Sequence, residues 1–431
     1  MLLKQIGLNG VETLTLLNVD EVVGAGLCAG CGICESMAGK DAIEMALTKE
    51  GRIRPKTKKP VGTMLMERIT PVCPGAIITG PAEDQAGLPN SLHPIWGPIA
   101  SLHKGWAGDE KVRFHSAAGG VLTSLGKYLI RTGKVDAVLH IKASAKNPPL
   151  SGAWISRTEQ DVYDGAQSRY GPGASLTEVH RLLDEGATFA VIGKPCDVAA
   201  IRNLQSIDAR AKAQIPYCLT IFCGGTLSLN TVHTMAENMG VAPDELSLYR
   251  YRGEGWPGTA HMETHDGREF DLTYEQAWLD ETAPWKYDLP FRCKVCPDAI
   301  GELADIAAPD GWVMKDGKPI YDEAPGVNLV IARTPKGAEL AKAAESDGTL
   351  VRAPFSVAEL SAMHDDHWAR KTHWPVRMWA LRMAGQPSLT VRRYRLMSAL
   401  RAAGFRFSLR SFLGTLRRAR KKLNREIGFS S

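Results

Sequence analysis

The sequence predicts an α/β fold, preceded by a cysteine-rich N-terminal segment and followed by a basic helical tail. Three observations predict it. From about residue 100 to 355, short apolar runs alternate with helical patterns, as they do when strands and helices build a largely parallel sheet. Residues 1–80 concentrate Cys, Gly and Pro, and residues 391–431 carry twelve Lys or Arg against one acid, Glu426.

The chain divides accordingly into 1–80, a linker over 81–99, an α/β domain over 100–355 and a helical tail over 356–431. The linker PAEDQAGLPNSLHPIWGP has too much Pro and Gly for a helix or a central strand. In the domain, AGGVLTSLGKYLIRTG predicts a helix with Gly133 near its end, VDAVLHIK a strand and LTEVHRLLDEG a helix. TFAVIG predicts a further strand, and LNTVHTMAENMG a helix ending at Gly240. With 431 residues, 44% hydrophobic and 23% charged, the chain has the composition of a globular protein of two or three domains. The N-terminus lacks the apolar core of a signal peptide, and no apolar run approaches the roughly 18 residues of a spanning helix. A cytoplasmic protein is therefore expected, where thiols stay reduced and clustered cysteines point to metal.

The nine cysteines carry the strongest signal. Cys28-Ala-Gly-Cys31-Gly-Ile-Cys34 is a C-x2-C-x2-C run, whose short loops can fold three thiolates round one face of a 4Fe-4S cubane. Cys73-Pro74 fits the fourth position, and proline there fixes the turn as the chain leaves the cluster. The first 80 residues thus read as a ferredoxin-like 4Fe-4S segment. A structural zinc site competes with this reading, but such sites usually pair two C-x2-C knuckles. Cys293 and Cys296 form a second C-x2-C pair that needs two partners from Cys196, Cys218 and Cys223. Cys196 follows the strand TFAVIG and Cys223 follows PYCLTIF, so both would reach the carboxyl edge of one sheet, where open α/β sheets place their sites. Cys218 falls inside its strand and suits a buried apolar role. Two 4Fe-4S clusters and one spare thiol result; one cluster with buried or zinc-binding thiols is the alternative.

In this arrangement the chain resembles the beta-subunit family of the deazaflavin-coenzyme hydrogenases and dehydrogenases, which also contains ferredoxin-dependent chlorophyll-cycle reductases. The resemblance covers residues 20 to 315 and rests on CAGCGIC, VRFHSAAGGVLTSL, SRYGPGASL, IGKPCDVAAIRNL, IFCGG, YRGEGWPG and RCKVCPDAIGELADI, in that order. It implies cluster ligation by Cys28, Cys31, Cys34, Cys73, Cys196, Cys223, Cys293 and Cys296. It also implies a non-covalent flavin, FAD, near Ser116 to Gly120, Tyr170 to Gly173 and Arg252 to Gly258. Two departures stand out. Ser116-Ala117-Ala118-Gly119-Gly120 replaces the family's usual Ser-Ser-Gly-Gly, and Ala308-Pro309-Asp310 stands where Gly-Asp is commoner.

The chemistry of these residues agrees with that placement. Gly119-Gly120 opening a helix lets backbone amides approach a phosphate at the positive end of the helix dipole. In YRGEGWPG, Gly253 belongs to a tight loop, Arg252 suits a phosphate or flavin carbonyl, and Trp256 could stack on a flat ring. A plain turn before the helix and a surface turn with a packed Trp are the simpler readings of the same residues. Tyr170 and Gly171 enter the predicted site through the resemblance, and Lys194 could stabilise a reduced flavin or equally be a solvated lysine. His115 could supply a proton to a small organic substrate. No G-x-G-x-x-G follows a predicted strand, so a nicotinamide has no visible site.

The expected function is a ferredoxin-dependent iron-sulfur flavoenzyme; an electron-transfer subunit of a larger, deazaflavin-linked complex is the alternative, and a zinc-stabilised binding protein a third reading. The tail pattern over Phe405 to Leu423 is basic and amphipathic. It suits a helix docked on the body, attachment to an anionic inner membrane surface, or capture of an acidic donor such as ferredoxin, but not nucleic acid. Removing residues beyond about 390 is expected to leave the clusters intact. His364-Asp365-Asp366-His367 reads as a solvated loop or helix face.

Overall fold

A computed structural model describes residues 4–6, 12–14, 18–82, 85–87, 92–280, 288–426 and 428–429. Parts of the predicted N-terminal segment and linker, residues 1–3, 7–11, 15–17, 83–84 and 88–91, lie outside the described residues.

The central sheet has nine strands: β1 (Ser101–Ala107), β2 (Ala137–Ala143), β3 (Ser151–Ser156), β4 (Gly173–Ala174), β5 (Phe189–Gly193), β6 (Tyr217–Thr220), β7 (Ile306–Ala307), β8 (Asn328–Ala332) and β9 (Leu350–Pro354). Their order is β4-β3-β2-β5-β6-β7-β8-β1-β9. The predicted parallel pairing holds at the centre, where β2, β5, β6 and β7 run parallel, and at one edge, where β4 runs parallel to β3. On either side, β3 against β2, β8 against β7, and β1 against β8 and β9 are antiparallel. Connection length decides the direction: residues 144–150 are too few for a crossover, so β3 returns beside β2.

Side chains alternate across the sheet as a pleat requires. Leu139, Val191 and Cys218 face one core with Val198, Ala199, Ile201 and Leu204 of helix α2 (Pro195–Gln205). Val138, Ala190 and Leu219 face the other, with Val121, Leu125 and Leu129 of helix α1 (Val121–Arg131). Burial on both faces explains why β2 and β5 read as continuous apolar runs. α1 begins directly after Gly119-Gly120, and Gly133 takes a left-handed φ of +64° just past its end.

The predicted linker is anchored. Trp96 is fully buried and stacks on Phe222 with ring centroids 6.0 Å apart, and the wholly buried Arg333 donates to Pro98 O at 3.0 Å and to Trp96 O.

Beyond the sheet come helices α3 (Asp365–Met383), α4 (Leu396–Ala403) and α5 (Phe405–Arg420). They pack on one another, Trp374, Met378, Leu381 and Ala419 share one core cluster with Val22, Leu27 and Ile78, and strand Thr390–Arg392 pairs in parallel with Ile77–Thr79. The tail is thus helical as expected, yet it is part of the body. Arg54 donates to both carboxylate oxygens of Glu426, at 2.5 and 2.7 Å, in a buried pair. Gly26 lies so close to Asn424 that a Cβ there would stand 1.8 Å from its carbonyl oxygen.

Candidate metal and cofactor site

The loop spacing around Cys28 has a backbone cause. Gly30 and Gly32 adopt left-handed φ of +69° and +87°, which turns the chain so that Cys28 Sγ accepts from Gly30 N at 3.3 Å. Cys34 is carried into the first turn of helix Ile33–Ala38. Cys73 closes helix Thr63–Val72, and its thiol lies within electrostatic reach of Cys28, Cys31 and Cys34.

The second group assembles at the sheet edge. Cys196 stands in the first turn of α2 directly after β5, and Cys223 follows β6; because β5 and β6 are parallel neighbours, both arrive at the same edge. Cys293 and Cys296 come from the turn around Phe291–Lys294, tied in place by the bond from Cys223 N to Ala299 O at 2.8 Å. Cys196, Cys223, Cys293 and Cys296 line one cavity whose wall also includes Cys28, so the two thiol groups adjoin. Cys218 is apart, buried within β6 among apolar side chains.

Burial pushes the Cys28 thiol up to about 11 and that of Cys223 up to about 12, with Cys31, Cys34 and Cys196 also well above the usual range. Thiolates in such a place need cations. Arg54 and Lys194 line the cavity, as does Arg292, which is buried and donates to Pro74 O at 3.1 Å. Burial alone would lower the pKa of Lys194, but Asp197, 2.8 Å away, and the thiols of Cys196 and Cys223 more than offset it and hold the ammonium charged. Asp298 also lines the cavity, but its carboxylate accepts from Ile300 N and Glu302 N, and the two groups of four sulfurs fit thiolate-bound iron-sulfur groups.

A larger cleft opens beside this cavity, and Lys194 and Thr226 line both. Of the predicted flavin residues, Ser116, Gly120, Tyr170, Gly171, Lys194 and Arg252 line it. Ser116 Oγ, Ser175 Oγ and Asp197 Oδ1 are buried there without a hydrogen-bond partner among the described residues, as polar groups awaiting a bound molecule would be.

Other expected contacts are placed differently. Arg252 is buried and spends its donors within the protein: on Asp310 at 2.9 Å, Tyr170 Oη at 3.2 Å, Ala117 O at 2.6 Å and Pro257 O at 2.8 Å. It therefore braces the cleft wall, with at most one N–H left for a ligand. Trp256 does not line the cleft. It is buried against Trp312, ring centroids 4.8 Å apart, and under the Arg252 guanidinium, so no face is offered for ring stacking. Gly253 lies against Gln167 and the His115 carbonyl, and Gly119 lies under the cleft floor, where a Cβ would stand 2.6 Å from Asn328 N. His115 is also outside the lining, stacked on Tyr163 with centroids 4.4 Å apart and paired with Glu254.

Sequence reasoning passed over Gln167, Arg169, Ser175 and Asp310, all in the lining. Arg169 belongs to a motif already singled out and could have been found; Asp310 was visible only as a departure from the family pattern. The His364–His367 stretch opens a helix and is solvated at Asp365 and Asp366 but not at the two histidines. Both rings are buried, each with its centroid 5.1 Å from that of Phe222, and His364, Asp366 and His367 hold potential metal donors within 4.8 Å of one another. His364 Nε2 is engaged with Asp310 O at 3.0 Å and His367 Nδ1 with Asp366 at 2.8 Å.

Residues 102–179 match the N-terminal model, and residues 186–357 the C-terminal model, of the coenzyme F420 hydrogenase/dehydrogenase beta-subunit family. The chain is 24% identical over 243 residues to a coenzyme F420-dependent sulfite reductase of Methanocaldococcus jannaschii, covering 53% of this chain and 34% of that protein. It is 26% identical over 247 residues to an F420-dependent formate dehydrogenase 1 subunit beta of Methanococcus maripaludis, covering 56% of this chain and 58% of the other. The chain thus spans between a third and three-fifths of these relatives. The fold matches a chain of the F420-reducing [NiFe] hydrogenase complex from Methanosarcina barkeri with a TM-score of 0.52 at 18% identity, over 68% of this chain and 95% of that one.

Proposed function

Because this chain belongs to the coenzyme F420 hydrogenase/dehydrogenase beta-subunit family, we propose that it is an electron-transfer subunit of a larger oxidoreductase. It would hold one 4Fe-4S cluster on Cys28, Cys31, Cys34 and Cys73, a second on Cys196, Cys223, Cys293 and Cys296, and FAD in the cleft. The observation that carries this reading is contiguity. Cys28 stands in the wall of the second thiol cavity, and Lys194 stands in the walls of that cavity and of the cleft. When bound, the clusters would supply single electrons and the flavin ring a store for two.

The chain's own residues then have distinct tasks. Lys194, kept charged by Asp197, holds a cation where negative charge accumulates. Arg252 and Asp310 fix the cleft wall, and Ser116 and Ser175 offer free hydroxyls to the ligand. Phe222 lines the cleft and is backed by the buried rings of Trp96 and His364. The relatives' dependence on coenzyme F420, given in their names, supports reading a deazaflavin coenzyme as the redox partner of this chain.

The test is anaerobic purification with iron, sulfide and flavin quantitation, followed by reduction with the reduced deazaflavin coenzyme or with reduced ferredoxin. The proposal expects about eight iron per chain from two four-iron groups and bleaching of the clusters by the deazaflavin. Reduction of a small organic substrate by the isolated chain with ferredoxin alone would favour a self-contained ferredoxin-dependent enzyme. Zinc with negligible iron would overturn both.

A further inference from the structure

Helix α5 presents three distinct faces, set by its repeat. Ser408, Ser411, Thr415 and Ala419 recur at i, i+3, i+7 and i+11 and form the docked face: Arg377 Nε of α3 donates to Ser411 Oγ at 2.8 Å, and Thr415 and Ala419 are buried. Phe405, Leu409 and Leu413 recur at i, i+4 and i+8 on a second face and stand 81%, 46% and 52% exposed. Arg406, Arg410 and Arg417 lie exposed on the third. An amphipathic helix of a globular protein ordinarily buries its large apolar face. Here the small-residue face is buried and the large apolar side chains point outward. The apolar surface continues onto α3, where Phe412 packs on Trp379 with ring centroids 5.3 Å apart, and Trp379 is 60% exposed.

Exposed apolar surface rimmed by charge marks a docking site, and the charge identifies what docks. Residues 391–425 hold twelve Lys or Arg and no acid, and the next acid, Glu426, is already paired with Arg54. We propose that α5 and the adjoining edge of α3 form a docking surface for an anionic phospholipid bilayer. Phe405, Leu409, Leu413 and Trp379 would enter the boundary between headgroups and acyl chains, while the arginines meet lipid phosphates. A bilayer accepts such projecting side chains without a matched pocket, which an acidic protein would have to provide. Attachment would be interfacial, since among the described residues no helix is long and apolar enough to cross a membrane. This inference is independent of the redox reading.

Vesicle sedimentation of the full chain tests it, with phosphatidylcholine alone and with phosphatidylcholine containing about 30% phosphatidylglycerol. Binding is expected on the anionic vesicles, at least about tenfold weaker on neutral ones and about tenfold weaker in high salt. The variant Phe405→Ser/Leu409→Ser/Leu413→Ser should lose about tenfold in partitioning with unchanged circular dichroism and elution volume. If that variant does not fold, Arg406→Glu/Arg410→Glu on the exposed basic face should give the same loss. Undiminished binding by a folded variant or equal binding to both vesicles overturns the proposal. So does failure to bind either vesicle, including the case where an acidic protein is captured instead.

Discussion

Gly30 and Gly32 show why the first thiol group was legible at the residue scale. A two-residue spacing forces a tight turn, glycine permits it, and both are local properties of CAGCGIC. The same logic placed Cys218 in the core, since a thiol inside an apolar run of β6 points into packing. Cys31→Ala and Cys293→Ala are each expected to lower iron by about half, one four-iron group of two, while Cys218→Ala leaves iron unchanged. Iron and sulfide assays check this, and equal losses in Cys218→Ala and Cys223→Ala would refute the division into two groups. Trp256 was misread for a related reason. An aromatic flanked by glycines looks the same locally whether it faces a ligand or, as here, Trp312 and Arg252.

Elements were legible where periodicity speaks and obscure where partners lie far away. The apolar runs located β2, β5 and β6, but strand direction depends on connections, and two-residue β7 carries no pattern at all. The Arg54–Glu426 pair joins residues 372 apart, so nothing local to either announces it. Its place beside Cys28 reverses the expectation that the segment beyond 390 is dispensable. Truncation there would remove Glu426, Asn424 and strand Thr390–Arg392 together. The shortened chain should lose stability and shed iron, measured by thermal unfolding under anaerobic conditions. Glu426→Gln alone, leaving a buried guanidinium unpaired, should cost about 3–5 kcal/mol in urea unfolding. A loss below about 1 kcal/mol, the range of exposed pairs, would mean the pair is solvated.

At the scale of the whole molecule, burial makes the fold sensitive to acid. It holds the imidazoles of His140 and His364 down to about 4, against an ordinary 6.5. Because the folded values are depressed, the unfolded chain takes up protons first. Stability is complete above about pH 6.5 and falls as pH drops toward about 4, by roughly 3 kcal/mol for each histidine. Tryptophan-monitored urea unfolding between pH 7 and 4.5 should show that decline, and His140→Gln should flatten part of it; an unaltered slope in His140→Gln would remove His140 from the account. The clasp by Glu426 and Asn424 also has a meaning in time. A ribosome adding roughly 5–20 residues each second delivers Glu426 about 20–75 s after Arg54, across their 372 positions. Throughout that interval Arg54, in the wall beside Cys28, lacks its carboxylate partner, so the contact that completes this side of the first thiol group is among the last that synthesis of these residues can supply.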